Sequence, residues 1–308
     1  MDIFHWLTDP LQFPFMQRAL VEVVLMGITC GLIGTYVVLR GMAFIGDALA
    51  HAIFPGVVIA FLLHASFFLG ALLFGGLTAV AIGALARNRR VSEDTAIGVL
   101  FAGMFALGIV LISTVQGYTA DLASFLFGNV LGVSAEDLIA SVVIGALVLV
   151  LLVFFHKELV LVSFDNDMAE AAGLPVWLLN LGLLLLIAVT IVVSLRAVGN
   201  ILVVAMLVTP AAAARLWTDR LRVMMGLSAL FGALAGVLGL LVSYHANLAA
   251  GGTIVLAITL WFGVSLVLAP RHGYLSRLLR PASVGRVPGP EGALAQSASP
   301  SDGHSHVH

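Results

Sequence analysis

Leu138-Ile-Ala-Ser-Val-Val-Ile-Gly-Ala-Leu-Val-Leu-Val-Leu-Leu-Val-Phe-Phe-His156 runs from Asp137 to Lys157 without one Asp, Glu, Lys or Arg between them. Coiled as an α-helix rising about 1.5 Å per residue, a run of this length matches the roughly 30 Å hydrocarbon core of a bilayer. Eight further apolar stretches, at residues 18–39, 43–63, 67–86, 95–115, 177–195, 201–217, 221–245 and 253–269, are near the same length. The 308-residue chain is 61% hydrophobic and 10% charged, against about 25% charged in a soluble domain, and its mean hydropathy is +1.13. Its 14 basic and 16 acidic side chains are too few to build a water-facing surface. The expected fold is therefore an all-α polytopic membrane protein, a bundle of nine transmembrane helices, or eight if residues 201–217 do not cross. A soluble enzyme, a nucleic-acid binder and a secreted disulfide scaffold are excluded. The one cysteine, Cys30, can form no internal disulfide.

A shorter apolar segment, residues 121–133, is too short to cross and reads as a re-entrant half-helix, tolerable at that depth only where protein covers its ends. Around the spans, residues 1–17 form an amino-terminal segment, residues 18–270 the transmembrane domain and residues 271–308 a tail. The amino-terminal segment has no basic n-region and no small-residue cleavage site, so no removable signal peptide is expected. The tail is rich in Pro, Gly, Ser and Ala and reads as disordered. It ends His304-Ser-His306-Val-His308, a composition that binds transition metals loosely and builds no selective site.

Charge orients the bundle. With nine spans and the amino terminus outside, the inner side holds Arg40, Arg87, Arg89, Arg90, Lys157, Arg215, Arg220, Arg222, Arg271, Arg277, Arg280 and Arg286, which is 12 of the 14 basic residues. Only Arg18 and Arg196 fall outside. The positive-inside rule demands this bias, and it places the amino terminus outside and the carboxyl terminus on the inner, cytoplasmic side. Glycines recur at small spacings in the first and eighth spans, among them Gly27, Gly31, Gly34, Gly232, Gly236 and Gly239, the pattern of helices packed backbone to backbone.

Ionisable groups well inside apolar runs are costly, by about 2.5–3.5 kcal/mol for a central charge, and so become functional hypotheses. Three qualify: Glu22, Asp47 and His51. Glu22 is expected to pair with Arg18 one turn earlier, the alternative being a place on a pore. Asp47 and His51, four residues apart, project from one helix face. A carboxylate oxygen with an imidazole nitrogen suits first-row divalent ions such as zinc, manganese or iron. The competing reading is a packing bond between the two or to a neighbouring helix. Pro55 lacks the N–H that the carbonyl at position 51 would accept, so the helix is expected to bend or open there. Pro210 is a second expected break near the path. Asp121 can cap its half-helix or join the site. His245 ends a span, as a solvated end residue or a ligand, and His64 and His156 read as interface residues.

The chain has a single lysine, Lys157, with no Gly-x-x-x-x-Gly-Lys-Ser/Thr around it, so it cannot hydrolyse ATP through a P-loop. Transport would draw on a separate ATPase, an ion gradient or passive flow. The loop Phe164-Asp-Asn-Asp-Met-Ala-Glu-Ala-Ala-Gly173-Leu-Pro175 has helix-start residues in Asp165 and Asp167 and a stop in Gly173 and Pro175. It predicts a short helix on the inner face, either an ordinary interfacial helix or an element that seats in a motor subunit.

Five segments together carry a family resemblance: Leu39-Arg-Gly-Met-Ala-Phe-Ile-Gly-Asp47-Ala-Leu-Ala-His51-Ala-Ile-Phe-Pro55-Gly, Ser92-Glu-Asp-Thr-Ala-Ile-Gly98, Asp121-Leu-Ala-Ser-Phe-Leu-Phe-Gly128, the Ala169–Gly173 loop, and Val198-Gly-Asn-Ile-Leu-Val-Val-Ala-Met-Leu-Val-Thr209-Pro-Ala-Ala-Ala-Ala-Arg215. In this order they resemble the membrane permeases of ATP-binding-cassette importers for zinc, manganese and iron(II), over about residues 18–270. The resemblance implies a non-enzymatic transport subunit of the bacterial inner cell membrane, a homodimer in the lipid around one path, two ATPase subunits on the inner face and an extracytoplasmic metal-binding protein. It implies no nucleic acid and no permanent cofactor, the metal being cargo. It implies metal passage at Asp47 and His51, and a coupling helix around Asp165, Asp167, Ala169, Glu170 and Gly173. Asp121 falls at an acidic family position, and His245 lies in a stretch that varies. The alternatives are a gradient-driven metal transporter or channel without an ATPase, and a non-transporting scaffold, which leaves Asp47 and His51 without a reason.

Overall fold

The computed structural model describes residues 9–87, 90–114, 130–270 and 273–274, without the side chains of residues 196 and 197. The described residues hold no strand. Their α-helices are α1 (Pro14–Leu39), α2 (Ile45–Ala52), α3 (Phe54–Leu62), α4 (Phe67–Ala86), α5 (Glu93–Ser113), α6 (Ala135–Phe154), α7 (His156–Phe164), α8 (Asn166–Ala171), α9 (Val176–Val198), α10 (Asn200–Trp217), α11 (Leu221–Ala246) and α12 (Ala250–Leu268). Among the described residues, 9 segments are long and apolar enough to cross a membrane, with α2 and α3 counted together as Ile45–Leu62. The protein is an all-α, multi-pass membrane protein. The half-helix expected from Asp121 falls largely outside the described residues; from its end only the 3-10 turn Val130–Gly132 is described.

Local chemistry sets the helix ends. Pro14 lies in the first turn of α1, where a missing N–H removes no helical bond, so α1 starts before the expected residue 18. Ser92 and Ser134 open α5 and α6, each Oγ accepting a backbone N–H three residues on at 3.1 Å. Carboxylates in both first turns suit the positive end of the helix dipole. The expected fifth span stops at Phe154, and His156 begins the separate helix α7.

α1 is the central pillar, packed along α10 and α11 and touched by α6 and α9. The glycine pattern explains how the helices come so close. A Cβ on Gly27 would strike the backbone of Gly232 and Ala233, and one on Gly34 the carbonyl of Leu207. Ser228 Oγ donates to Gly31 O at 2.8 Å across the same contact. Lipid offers no hydrophobic drive between helices, so this backbone approach supplies the dispersion that holds them. On the other side α9 packs on α4, and α2 and α3 lie between α5, α4, α9 and α10.

Side-chain contacts gather the basic residues at one end of the bundle. Arg215 Nη1 donates to Val38 O at 3.1 Å, and Arg40 donates to Ser163 Oγ (3.1 Å) and Asn180 Oδ1 (2.6 Å). The Arg87 guanidinium stands 6.0 Å from the Trp177 ring, and Lys157, Arg220 and Arg222 line one groove. Burial pulls the Arg40 pKa down from its ordinary value, and the Glu93 carboxylate opposes that shift.

Candidate functional site

α1 ends in a turn that its own residues dictate. Gly41 takes φ +74°, the left-handed conformation that glycine adopts at no steric cost. The Met42 N–H then reaches Val37 O at 3.0 Å and the Gly41 N–H reaches Val38 O at 3.3 Å, the two bonds of a Schellman cap. The chain turns back into the bundle as α2. In α2 the residues Ile45, Gly46, Ala48, Leu49, Ala50 and Ala52 are buried. Asp47 and His51 form the uncovered stripe, their side chains 49% and 24% exposed.

His51 Nε2 lies 3.4 Å from Asp47 Oδ1, which brings the sequence-predicted pair together as the four-residue spacing requires. The span breaks at Ile53, between α2 and α3, and Pro55 sits buried in the first turn of α3, where its ring fits. Across from His51, Phe101 and Phe105 of α5 stack with centroids 6.1 Å apart at 9°. The imidazole lies 5.6 Å from the first ring and 5.1 Å from the second. Phe54 joins this wall 6.1 Å from Phe105, in space that Gly108 leaves open.

A third polar side chain reaches the pair from a distant part of the chain. Gly199, at φ +83°, separates α9 from α10, and the next residue, Asn200, places Nδ2 at 3.5 Å from His51 Nε2. Asn200 is 3% exposed, and its Oδ1 has no hydrogen-bond partner. Its depth follows from helix packing. Leu207 abuts Gly34 and Arg215 reaches Val38, so α10 runs parallel to α1. Stepping back from Leu207 to Asn200 sets that residue level with Gly27, halfway along α1. The cluster therefore lies near mid-depth.

The other expected site residues stand apart from it. Among the described residues no three His, Cys, Asp or Glu side chains form a group able to hold an ion, so His245 does not join the pair. Its Nδ1 is 3.1 Å from Leu241 O and its ring packs 5.2 Å from Tyr244. Asp121 lies outside the described residues, as do the tail histidines. Pro210, expected to break a helix, lies buried inside the continuous α10, about 15 Å along it from Asn200. Glu22 is fully buried and accepts a 2.8 Å bond from Ser141 Oγ, so its partner is Ser141 of α6 rather than Arg18. His156, expected at an interface, bonds Tyr36 Oη through Nδ1 at 2.7 Å and ties α7 to α1.

The loop helix forms as expected. Asp165 Oδ1 accepts the Met168 N–H at 2.9 Å, opening α8. Gly173 at φ +78° closes it, with the Leu174 N–H on Ala169 O at 3.1 Å. Ala169 is buried, while Asp167 and Glu170 are exposed.

Residues 12–269 match the family described as the ABC 3 transport family. The chain belongs to this family. It is 46% identical over 270 residues to the manganese transport system membrane protein MntC of Halalkalibacterium halodurans, covering 88% of this chain and 92% of that one. It is 41% identical over 265 residues to the chelated iron transport system membrane protein YfeD of Yersinia pestis, covering 86% and 89%. Among solved structures, PsaBC from Streptococcus pneumoniae in complex with Fab aligns with TM-score 0.78 and 40% identity, over 90% of this chain and 99% of that one. In this ABC 3 member the sequence marks Asp47 and His51 as candidates, while Asn200, Phe101 and Phe105 come beside them only in the structure. Asn200 carried a signal, an amide directly after a glycine at the head of an apolar run. The two phenylalanines carried only their i, i+4 spacing, which any core face shares.

Proposed function

We propose that this chain is the permease subunit of an ATP-driven importer of divalent transition metals, with manganese and iron(II) as the cargo. One observation carries the reading: a carboxylate and an imidazole form the uncovered stripe of an otherwise buried helix near mid-depth. Lipid is a poor cover for Asp47, since a charge there costs at least about 2.5–3.5 kcal/mol. A second copy, related by a two-fold axis, supplies a better one. It sets a second Asp47–His51 pair opposite the first and encloses a path lined by two carboxylates and two imidazoles. That donor set suits a first-row divalent ion held briefly, and the names of the relatives favour manganese and iron over zinc.

The basic end of the bundle faces the cytoplasm under the positive-inside rule. α8 lies toward that end, its first residue three positions beyond Ser163, to which Arg40 is bonded. There it is the coupling element for a separate ATPase subunit. Nucleotide-driven rocking of the two copies opens the path outward, to an extracytoplasmic metal-binding protein, and then inward. The test is Asp47→Asn in cells that depend on this importer. Uptake of radiolabelled manganese should vanish while the permease still co-purifies with its ATPase. Full uptake at limiting metal overturns the assignment. Transport by the permease alone in proteoliposomes, driven by a gradient, would favour the reading without an ATPase.

A further inference from the structure

Asn200 is out of keeping with its surroundings. It is 3% exposed at mid-depth, and its carboxamide oxygen has no hydrogen-bond partner. An unsatisfied buried acceptor costs about 1–3 kcal/mol, and buried polar atoms in native proteins are rarely left so. The other end of the same amide makes only a long contact, Nδ2 to His51 Nε2 at 3.5 Å. The orphan oxygen therefore belongs to a side chain already at the candidate site.

We propose that Asn200 is a third donor to the transported metal, its carboxamide oxygen completing with Asp47 and His51 a set that favours manganese and iron(II) over zinc. The proposal rests on the reading of the Asp47–His51 pair as a metal path.

His51 Nε2 faces Asp47 Oδ1 at 3.4 Å and Asn200 Nδ2 at 3.5 Å, so an ion bound by the carboxylate and that nitrogen arrives beside the amide. Asn200 Nδ2 stands 3.5 Å from Nε2, and with the ring proton on Nδ1 its N–H can donate to the Nε2 lone pair. That is the tautomer Nε2 needs to ligate a metal. When the ion takes the lone pair, a half-turn of the amide about Cβ–Cγ exchanges Nδ2 for Oδ1 in nearly the same volume. The change requires no backbone shift at Gly199, and it converts a donor that would repel a cation into an acceptor that binds one.

The donor count gives the selectivity. Asp47 and His51 from two copies offer two oxygens and two nitrogens, a four-membered set of the kind tetrahedral zinc accepts. With Asn200 the two copies offer four oxygens and two nitrogens. Six donors rich in oxygen suit the octahedral preference of a harder ion such as manganese(II). Asn200 thus acts on which metal passes as well as on how well it binds.

The test uses the full permease with its ATPase in proteoliposomes, supplied with manganese and zinc alone and in competition. Asn200→Leu removes the oxygen at similar volume, Asn200→Ala is a smaller variant should the first not accumulate, and Asn200→Asp restores an oxygen. The manganese-to-zinc uptake ratio should fall about tenfold or more in the Leu and Ala variants, in the range found when partners of a metal ligand are lost. It should recover in the Asp variant. An unchanged ratio, or a parallel fall for both metals, overturns the role of Asn200. Asp47→Asn run beside them separates the two levels. If it leaves uptake intact, the metal path itself is wrong; if it abolishes uptake while Asn200→Leu keeps the wild-type ratio, only the third donor is wrong.

Discussion

Gly108 touches no polar atom of the site, yet its replacement by alanine should impair transport. A Cβ there would overlap Phe54, with Cε1 at 3.1 Å and Cγ at 3.2 Å and the near edge closer still. Unstrained carbon contacts lie at about 3.5–4.0 Å, so the Phe54 ring must withdraw. It is 5% exposed and has little free space. Overpacking of this kind costs about 1–3 kcal/mol, while exchanging glycine for alanine inside a helix returns at most ~1 kcal/mol. The net loss is therefore about 0–3 kcal/mol. The effect on function should be larger than that suggests, because Phe54 leans on Phe105 at 6.1 Å and Phe105 on the His51 ring at 5.1 Å. Tilting the imidazole disturbs a ligand as loss of an orienting partner does, about tenfold in metal affinity. Gly103, on the same helix, has nothing within 4 Å of its Cβ position, so Gly103→Ala is the matched control. Manganese uptake measured across a range of metal concentrations should show a raised half-saturation for Gly108→Ala and none for Gly103→Ala. Equal behaviour of the two variants, in uptake and in thermal stability, would refute the aromatic wall as the support of His51.

Two further perturbations address the coupling helix and the buried carboxyl. Asp165→Ala removes the cap of α8 at a cost of about 1 kcal/mol, enough to fray a helix of 6 residues; uptake should fall severalfold while metal affinity at Asp47–His51 holds, and Asp165→Asn, also a good cap, should restore it. An affinity loss in Asp165→Ala would place α8 in binding rather than coupling. Ser141→Ala strips Glu22 of its one described bond and should destabilise the protein by about 1–3 kcal/mol, read as a lower melting temperature in detergent. Adding Glu22→Leu should recover most of that loss, since replacing both partners with apolar groups is near neutral, and a Ser141→Ala protein that melts like wild type contradicts the bond.

Much of this was legible in the chain because bilayer physics writes itself along the sequence. Each run such as residues 138–156 must satisfy its own backbone bonds, so length and hydropathy alone mark a helix. Asp47 and His51 were legible for the same reason: a carboxylate in an apolar run has few explanations, and a spacing of four residues aligns both on any helix. The α8 turn was readable from Asp165 and Gly173, whose cap and left-handed conformation are local. Pro210 misled because proline carries a helix-breaking tendency that is conditional. Packing around a buried α10 holds the helix continuous through it, as neighbouring helices often do in membranes.

What stayed hidden depends on pairs far apart in the chain. Nothing near Glu22 announces Ser141, and Arg18 stood at a more plausible spacing; only the packing of α1 on α6 makes the choice. Asn200 is the sharper case. It is separated from His51 by 149 positions, and no periodicity links α10 to α2. Its isolation in an apolar stretch was nonetheless the same kind of signal that singled out Asp47. Charge is what makes Asp47 stand out, and an amide carries none. Yet the desolvation that makes a buried carboxylate conspicuous also acts on a neutral acceptor, at about 1–3 kcal/mol for an unsatisfied group. In a bilayer, where each polar atom needs a partner from within the protein, an uncharged amide at mid-depth deserves the same question as a charge: which group is it waiting to bind?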